Sequence, residues 1–314
     1  MRREKYAFYT TKKKKKGLRL VLLAALIAAV IGVLIFVVPY DKIYAIFAGQ
    51  DKDKSLNELW DLKNYSEIIE ITGEILKTSP FDSYYLGYLG LSLFYQASSD
   101  IENNKDLLDR TIFVLRKAKL DKSSAFIRSY SNEINYILAL SYSFMGNYYI
   151  DLAIKYMEES LQQGYLGPDT YKLLATSYGE LGDYNKKLDY LLLDLEIDET
   201  DIGLLALGQA YFELNRLQDA ELATQKALNK TVNEKTMLEC RFRLGEIFMQ
   251  RNEFFKAEEQ FKKILELNPR LADAHYNLGE IYSKMNDDIK ARYHWREALK
   301  IDPNHYGATL RYYK

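Results

Sequence analysis

A single cysteine, Cys240, is the whole thiol content of these 314 residues. One thiol cannot build an intramolecular disulfide framework, although its solitude identifies no redox compartment. Histidine is nearly as scarce: His275, His294 and His305 fall 19 and 11 residues apart. A metal centre would want ligands on one helix face, as in an i, i+4 pair, or grouped with cysteine. None is expected here, and His275 is better explained by packing. There is no glycine-rich phosphate loop, no nucleophile elbow and no carboxylate pair anchored to a recognisable fold. Catalytic residues and cofactors are therefore expected to be absent, and an enzyme is not expected. Proline is thin as well, at 5 residues against 27 tyrosines, a balance that suits helix pairs packed through aromatics. Hydrophobic content of 48% with 28% charged residues argues against wholesale disorder.

Net charge is almost missing too, at −1, but that average conceals a division. Residues 1–19 carry nine basic side chains, among them Lys12 to Lys16, against Glu4; their net +8 leaves −9 on the remainder. Leu20 to Val38 follows as nineteen uncharged, almost wholly apolar residues. As a helix they would rise about 28 Å, close to the thickness of a bilayer's hydrocarbon. A cleaved leader would have a shorter apolar region and a small-x-small site. Ile43-Tyr44-Ala45 and Ile46-Phe47-Ala48 are poor versions of that site, and no cysteine follows to accept a lipid. An uncleaved transmembrane helix over 20–38 is the expectation, with a solvent-suited linker at 39–54. Basic flanks stay in the cytoplasm, so the anchor belongs in the cell (inner) membrane with the bulk of the chain periplasmic or otherwise extracytoplasmic. Next to such a span, the lysine run suits anionic headgroups better than nucleic acid. Ala24, Ala28 and Gly32 recur on one face of the span. That spacing would allow a homo-oligomer through the membrane helix, but it is better explained by how common small residues are in such helices.

The second half of the chain is organised by a repeat. Leu244-Gly245, Phe248, Ala257, Phe261 and Pro269 recur as Leu278-Gly279, Tyr282, Ala291, Trp295 and Pro303, with matched positions 34 residues apart. Glycine inside a helix costs roughly 1 kcal/mol relative to alanine. The cost makes sense where a neighbouring helix must approach the backbone, with Ala257 and Ala291 as the small residues that permit it. Phe261 and Trp295, one turn further on, are expected to fill the space between successive hairpins. The two prolines end the second helix of each unit. No single hairpin hides its apolar face alone, so the units must stack. These residues resemble the tetratricopeptide repeat (TPR) family. The resemblance implies an all-α fold: a right-handed α-solenoid of about seven TPR-like helix pairs over 55–314, preceded by the one transmembrane helix.

Weaker units precede the clear ones. The first has Tyr65, Ile68, Thr72, Ile75 and Pro80 in second-helix places and Ser55-Leu56 where Leu-Gly is expected. Leu89-Gly90 opens the second and Leu138-Ala139 the third, near 132–167; between Gly90 and Ala139 about fifteen residues are extra. Gln96–Asp106 is the expected place for most of them. The fourth unit, near 168–200, has Ala175 and Tyr178, but Lys187 where a small residue belongs, so its packing should be looser. The clearest repeats are 201–237, which runs about three residues long, then 238–271 and 272–305. Only Tyr306–Lys314 remains, too short for a full capping helix, so apolar surface is expected at that end.

In arrays of this kind the first helices line the inner surface, as the resemblance implies. The expected protein-binding groove then takes Tyr84, Phe94, Tyr95, Tyr136 and Phe144 from the early units and Leu205, Phe212, Phe242, Met249 and Tyr276 from the later ones. Glu213, Glu239, Glu246, Asp273 and Glu280 would form an acidic margin, suiting a peptide or helix with apolar anchors and some basic residues. At least half of the aromatics are expected to pack between units instead. Family members that clamp a peptide's terminal carboxylate do so with Lys, Asn and Arg. The matching places here hold Tyr276, Glu280, Glu239 and Glu246, which does not support that activity. The function expected is a membrane-anchored scaffold for other proteins in an envelope complex of the secretion, pilus or periplasmic flagellar motor type. The alternatives are an ancillary chaperone beside the translocon, or an organellar import receptor of opposite topology.

Overall fold

The computed structural model describes residues 56–313. The basic segment 1–19, the expected span 20–38 and the linker 39–54 lie outside the described residues. Among the described residues there is no strand, and no helix is long and apolar enough to cross a membrane.

The chain divides at Pro80 into two compact units. In the first, residues 56–61 are helical and lead to α1 (Tyr65–Thr78). Asn64 starts α1 by accepting a hydrogen bond from the Glu67 N–H, and Ile68 and Thr72, one turn apart, are its buried residues.

Among the described residues, the second unit is a stack of six helix pairs. They are α2 (Ser83–Ala97) with α3 (Lys105–Ala118), and α4 (Ala125–Met145) with α5 (Ile150–Gln162). Next come α6 (Thr170–Glu180) with α7 (Tyr184–Ile197), and α8 (Asp201–Glu213) with α9 (Leu217–Lys230). Last are α10 (Glu234–Gln250) with α11 (Phe254–Leu267), and α12 (Ala272–Lys284) with α13 (Asp288–Ile301). Each second helix also packs on the first helix of the following pair, which makes the unit a TPR-like solenoid.

The turn inside each later pair is written in one residue. Asn215, Asn252 and Asn286 hold φ of 56°, 60° and 60°, and Gly182 holds 77°, each two residues ahead of the second helix. Asparagine and glycine tolerate this left-handed conformation best, so the reversal costs little there.

Glycine marks the close approach that the repeat implied. A Cβ on Gly245 would come within 2.6 Å of the Phe261 ring, and one on Gly279 within 2.4 Å of the Trp295 indole. Each ring therefore lies on the glycine of its own pair, a contact the spacing had not assigned to it. Both rings also join Leu244, Phe248, Leu278 and Tyr282 in one core that spans the two pairs.

Boundaries differ from the sequence expectations in three places. The extra residues between Gly90 and Ala139 do not collect in 96–106. The 98–104 connection takes some, and nearly half lengthen α4, which begins at Ala125 and runs 21 residues. The third unit therefore starts ahead of 132. The apparent overrun of the fifth unit belongs to the next pair: Asn233 caps α10, so 234–237 form its first turn. At the C-terminus a seven-residue helix, α14 (Tyr306–Tyr312), packs on α13. It buries Ala308 but leaves Tyr306 and Tyr313 exposed, so apolar surface does remain at that end.

Cys240 is fully buried on α10 beside Leu204 and Ala227, and burial pushes its thiol up to about 11. It packs as a small hydrophobe.

Candidate functional site

The first helices α2, α4, α8, α10 and α12 carry the fifteen residues expected to line a groove, and the structure treats them differently. Phe94 and Tyr136 are buried, at 6% and 9% exposure, and are not available to a partner. Tyr136 lies against Gly167, where an added Cβ would come within 2.4 Å of its ring, and beside Tyr165. Tyr84 is partly buried among Tyr88 and Phe126, and Tyr95 donates a hydrogen bond to Glu133 at 3.2 Å. Tyr84 and Tyr95 thus reach from α2 to α4. Phe144 stays partly exposed at the end of α4.

The later residues do come together. Leu205, Glu239 and Phe242 line one small cavity of about 270 Å³ with Gln209 and Arg243. Phe212 lies under the Arg243 guanidinium, 4.9 Å from ring centre to carbon. Met249 and Tyr276 are partly buried against the C-terminal core, and Tyr276 is also covered by His305 and Gly307.

The acidic margin is weaker than its residue types suggest, because cations and hydrogen-bond donors of the same chain already face it. Arg243 holds Glu246 at 2.6 Å, and Arg311 holds Glu280 at 2.8 Å. His305 lies 3.1 Å from Asp273, and Lys235 3.9 Å from Glu239. Glu213 accepts a hydrogen bond from Gln209. Burial pushes the Glu246 carboxyl above its usual range, against the opposing pull of Arg243. These partners lie outside the 34-residue pattern, so spacing alone did not show them.

His275 and His294, placed 19 residues apart, meet across α12 and α13 with Nδ1 atoms 3.0 Å apart. His294 also stacks on Tyr282. Burial, then His275 and Lys262, lower His294 to about 4, and burial lowers His275 as well. Both rings are therefore neutral near pH 7, and one Nδ1 donates to the other. Among the described residues no group of three or more His, Cys, Asp or Glu is placed to hold a metal ion.

A second surface was only half visible in the sequence. Between α6 and α8 a cleft of about 790 Å³ opens down to α7. Lys187 stands there at the place of Ala220, Ala257 and Ala291, each at most 1% exposed. Its stem crosses α6 at Gly179, where a Cβ would come within 2.9 Å of the lysine Cδ. Burial pushes its amine below the usual range, with Glu213 opposing.

The tetratricopeptide repeat family matches residues 272–305, and a second TPR repeat family matches 245–286. No curated protein matches the chain. Among solved structures, the C-terminal part of a TPR repeat-containing protein from Cytophaga hutchinsonii is 16% identical, covers 82% of this chain and 98% of its own, and superposes with a TM-score of 0.57. The likeness is one of fold. YrrB, described as a TPR protein with an unusual peptide-binding site, is 22% identical, covering 60% of this chain and 97% of its own at a TM-score of 0.49. MamA from Desulfovibrio magneticus RS-1 is 14% identical, covering 56% and 97% at a TM-score of 0.49.

Proposed function

We propose that this chain, which carries tetratricopeptide repeats over 245–305, is a scaffold that holds other proteins through the faces of its first helices. The observation that supports this most is the partly exposed patch of Leu205, Phe212 and Phe242, rimmed by Glu213 and Glu239 and set on the helix stack. Aromatic and apolar anchors with a charged rim are what a protein interface needs at its centre. The amino-terminal span 20–38 would tether the array to the cell membrane, with the array extracytoplasmic and serving an envelope complex. That setting rests on the apolar run and its basic flank alone.

Mild crosslinking of the full chain in its native membrane or extract, then purification and mass spectrometry, tests the scaffold. A few stoichiometric partners are expected, and Phe242→Ala should reduce their recovery several-fold. A broad set of unfolded clients, unaffected by Phe242→Ala, would favour a chaperone and overturn the scaffold. Protease added to intact cells and to spheroplasts tests the topology: cleavage of the array only after the outer barrier is opened is expected, and cleavage only after lysis contradicts it.

A further inference from the structure

The cleft between α6 and α8 has features that packing alone does not require. Three large apolar side chains stand on its rim: Leu166 at 48%, Ile197 at 65% and Ile202 at 62% exposure. Asp169, Asp194 and Asp198 line one end, with Lys172 as the nearby cation. Among the described residues none of these three carboxylates accepts a hydrogen bond or joins an ion pair. Thr170, 1% exposed, also lines the cleft, and its hydroxyl has no hydrogen-bond partner. A buried hydroxyl left unpaired costs free energy that a bound donor or acceptor would recover.

At the other end stands Lys187, likewise without an ion pair among the described residues, while the Glu180 and Glu213 carboxylates line the cleft as well and Glu213 acts on the Lys187 amine. Lys187, Leu191 and Asp194 share one stripe of α7, spaced four and three residues apart, so the cation and the carboxylate are separated by about 10 Å along the helix. An extended chain covers about the same distance in three residues. A volume near 790 Å³ falls among pockets that take a small-molecule-sized object, so a few side chains fit and a whole helix does not.

We propose that this cleft seats an extended segment of a partner protein, with an arginine or lysine at Asp194 and a carboxylate three residues away at Lys187. Apolar side chains between and beside them lie on Leu166, Leu191, Ile197 and Ile202. The proposal rests on the scaffold reading and adds to it where on the array one partner binds and what that segment looks like. Its selectivity comes from charge order, chiefly at the aspartate end: exchanging the peptide's two charges would set its carboxylate against Asp169, Asp194 and Asp198.

The test uses the purified full chain and a biotinylated peptide, Gly-Gly-Arg-Leu-benzoylphenylalanine-Glu-Gly-Gly, photocrosslinked and mapped by mass spectrometry. Label is expected within 166–206, reduced at least fivefold by Asp194→Asn and at least threefold by Lys187→Met. Helicity and melting temperature of both variants show that they are folded. A peptide with Arg and Glu exchanged should label at least fivefold less. Label confined to α10 and α12, or label at 166–206 indifferent to both substitutions and to charge order, overturns the cleft while leaving the scaffold in place. No label on the array, together with no stoichiometric partner in the crosslinking experiment, overturns both.

Discussion

The pairs α10–α13 and the pair α6–α7 are built on the same frame, yet one is closed and the other open. In the closed region, alanines at 257 and 291 let the helices meet, and Phe261 and Trp295 press on Gly245 and Gly279. In the open region, the alanine place holds Lys187 and the aromatic place holds Leu191, and a cleft of about 790 Å³ opens between α6 and α8. A repeat frame therefore fixes where helices lie, while two side chains per pair decide how tightly they close.

Phe261→Ala should have the largest effect, because its ring is fully buried and spans the glycine contact. A loss of about 3–5 kcal/mol is expected in urea unfolding. Leu191→Ala, in the open pair, should cost less, about 2–3 kcal/mol, since an adjoining cleft lets neighbours relax. Equal losses would remove the contrast between the regions.

Acid should act on the closed region through the histidine pair. His294 titrates at about 4 when folded, below its ordinary value near 6.5. The unfolded chain then binds the proton first, so stability is full above pH 6.5 and is lost as pH falls toward 4. Between pH 7 and 5 the loss should be on the order of 1 kcal/mol, allowing for solvent at the partly buried ring. His294→Asn should flatten that slope; an unchanged slope would show that other groups carry it.

The smallest effect is expected at Lys187. Lys187→Met keeps the stem over Gly179 and removes a half-buried amine that lacks an ion pair. A gain of about 0.5–1 kcal/mol is expected in the same urea experiment. Destabilisation would mean that the amine is satisfied where it stands.

The helical stack was legible because glycine, alanine and aromatic residues recur at one spacing, and each has a packing reason to do so. Lys187 announced looser packing for the same reason, as an exception to that spacing. The groove was less legible. Burial of Phe94 and Tyr136 depends on which neighbouring pair crosses them, and the cations facing Glu246 and Glu280 come from three residues away and from α14. The start of α4 was hidden because a helix can lengthen without disturbing the positions that define a repeat.

Native-state hydrogen exchange of the full chain at pH 7 tests the central contrast most directly. Amides of α11 and α13 are predicted to exchange at least tenfold more slowly than those of α6 and α7. Equal protection, or stronger protection in α6 and α7, would contradict a stack that is closed toward its C-terminal pairs and open at the fourth unit.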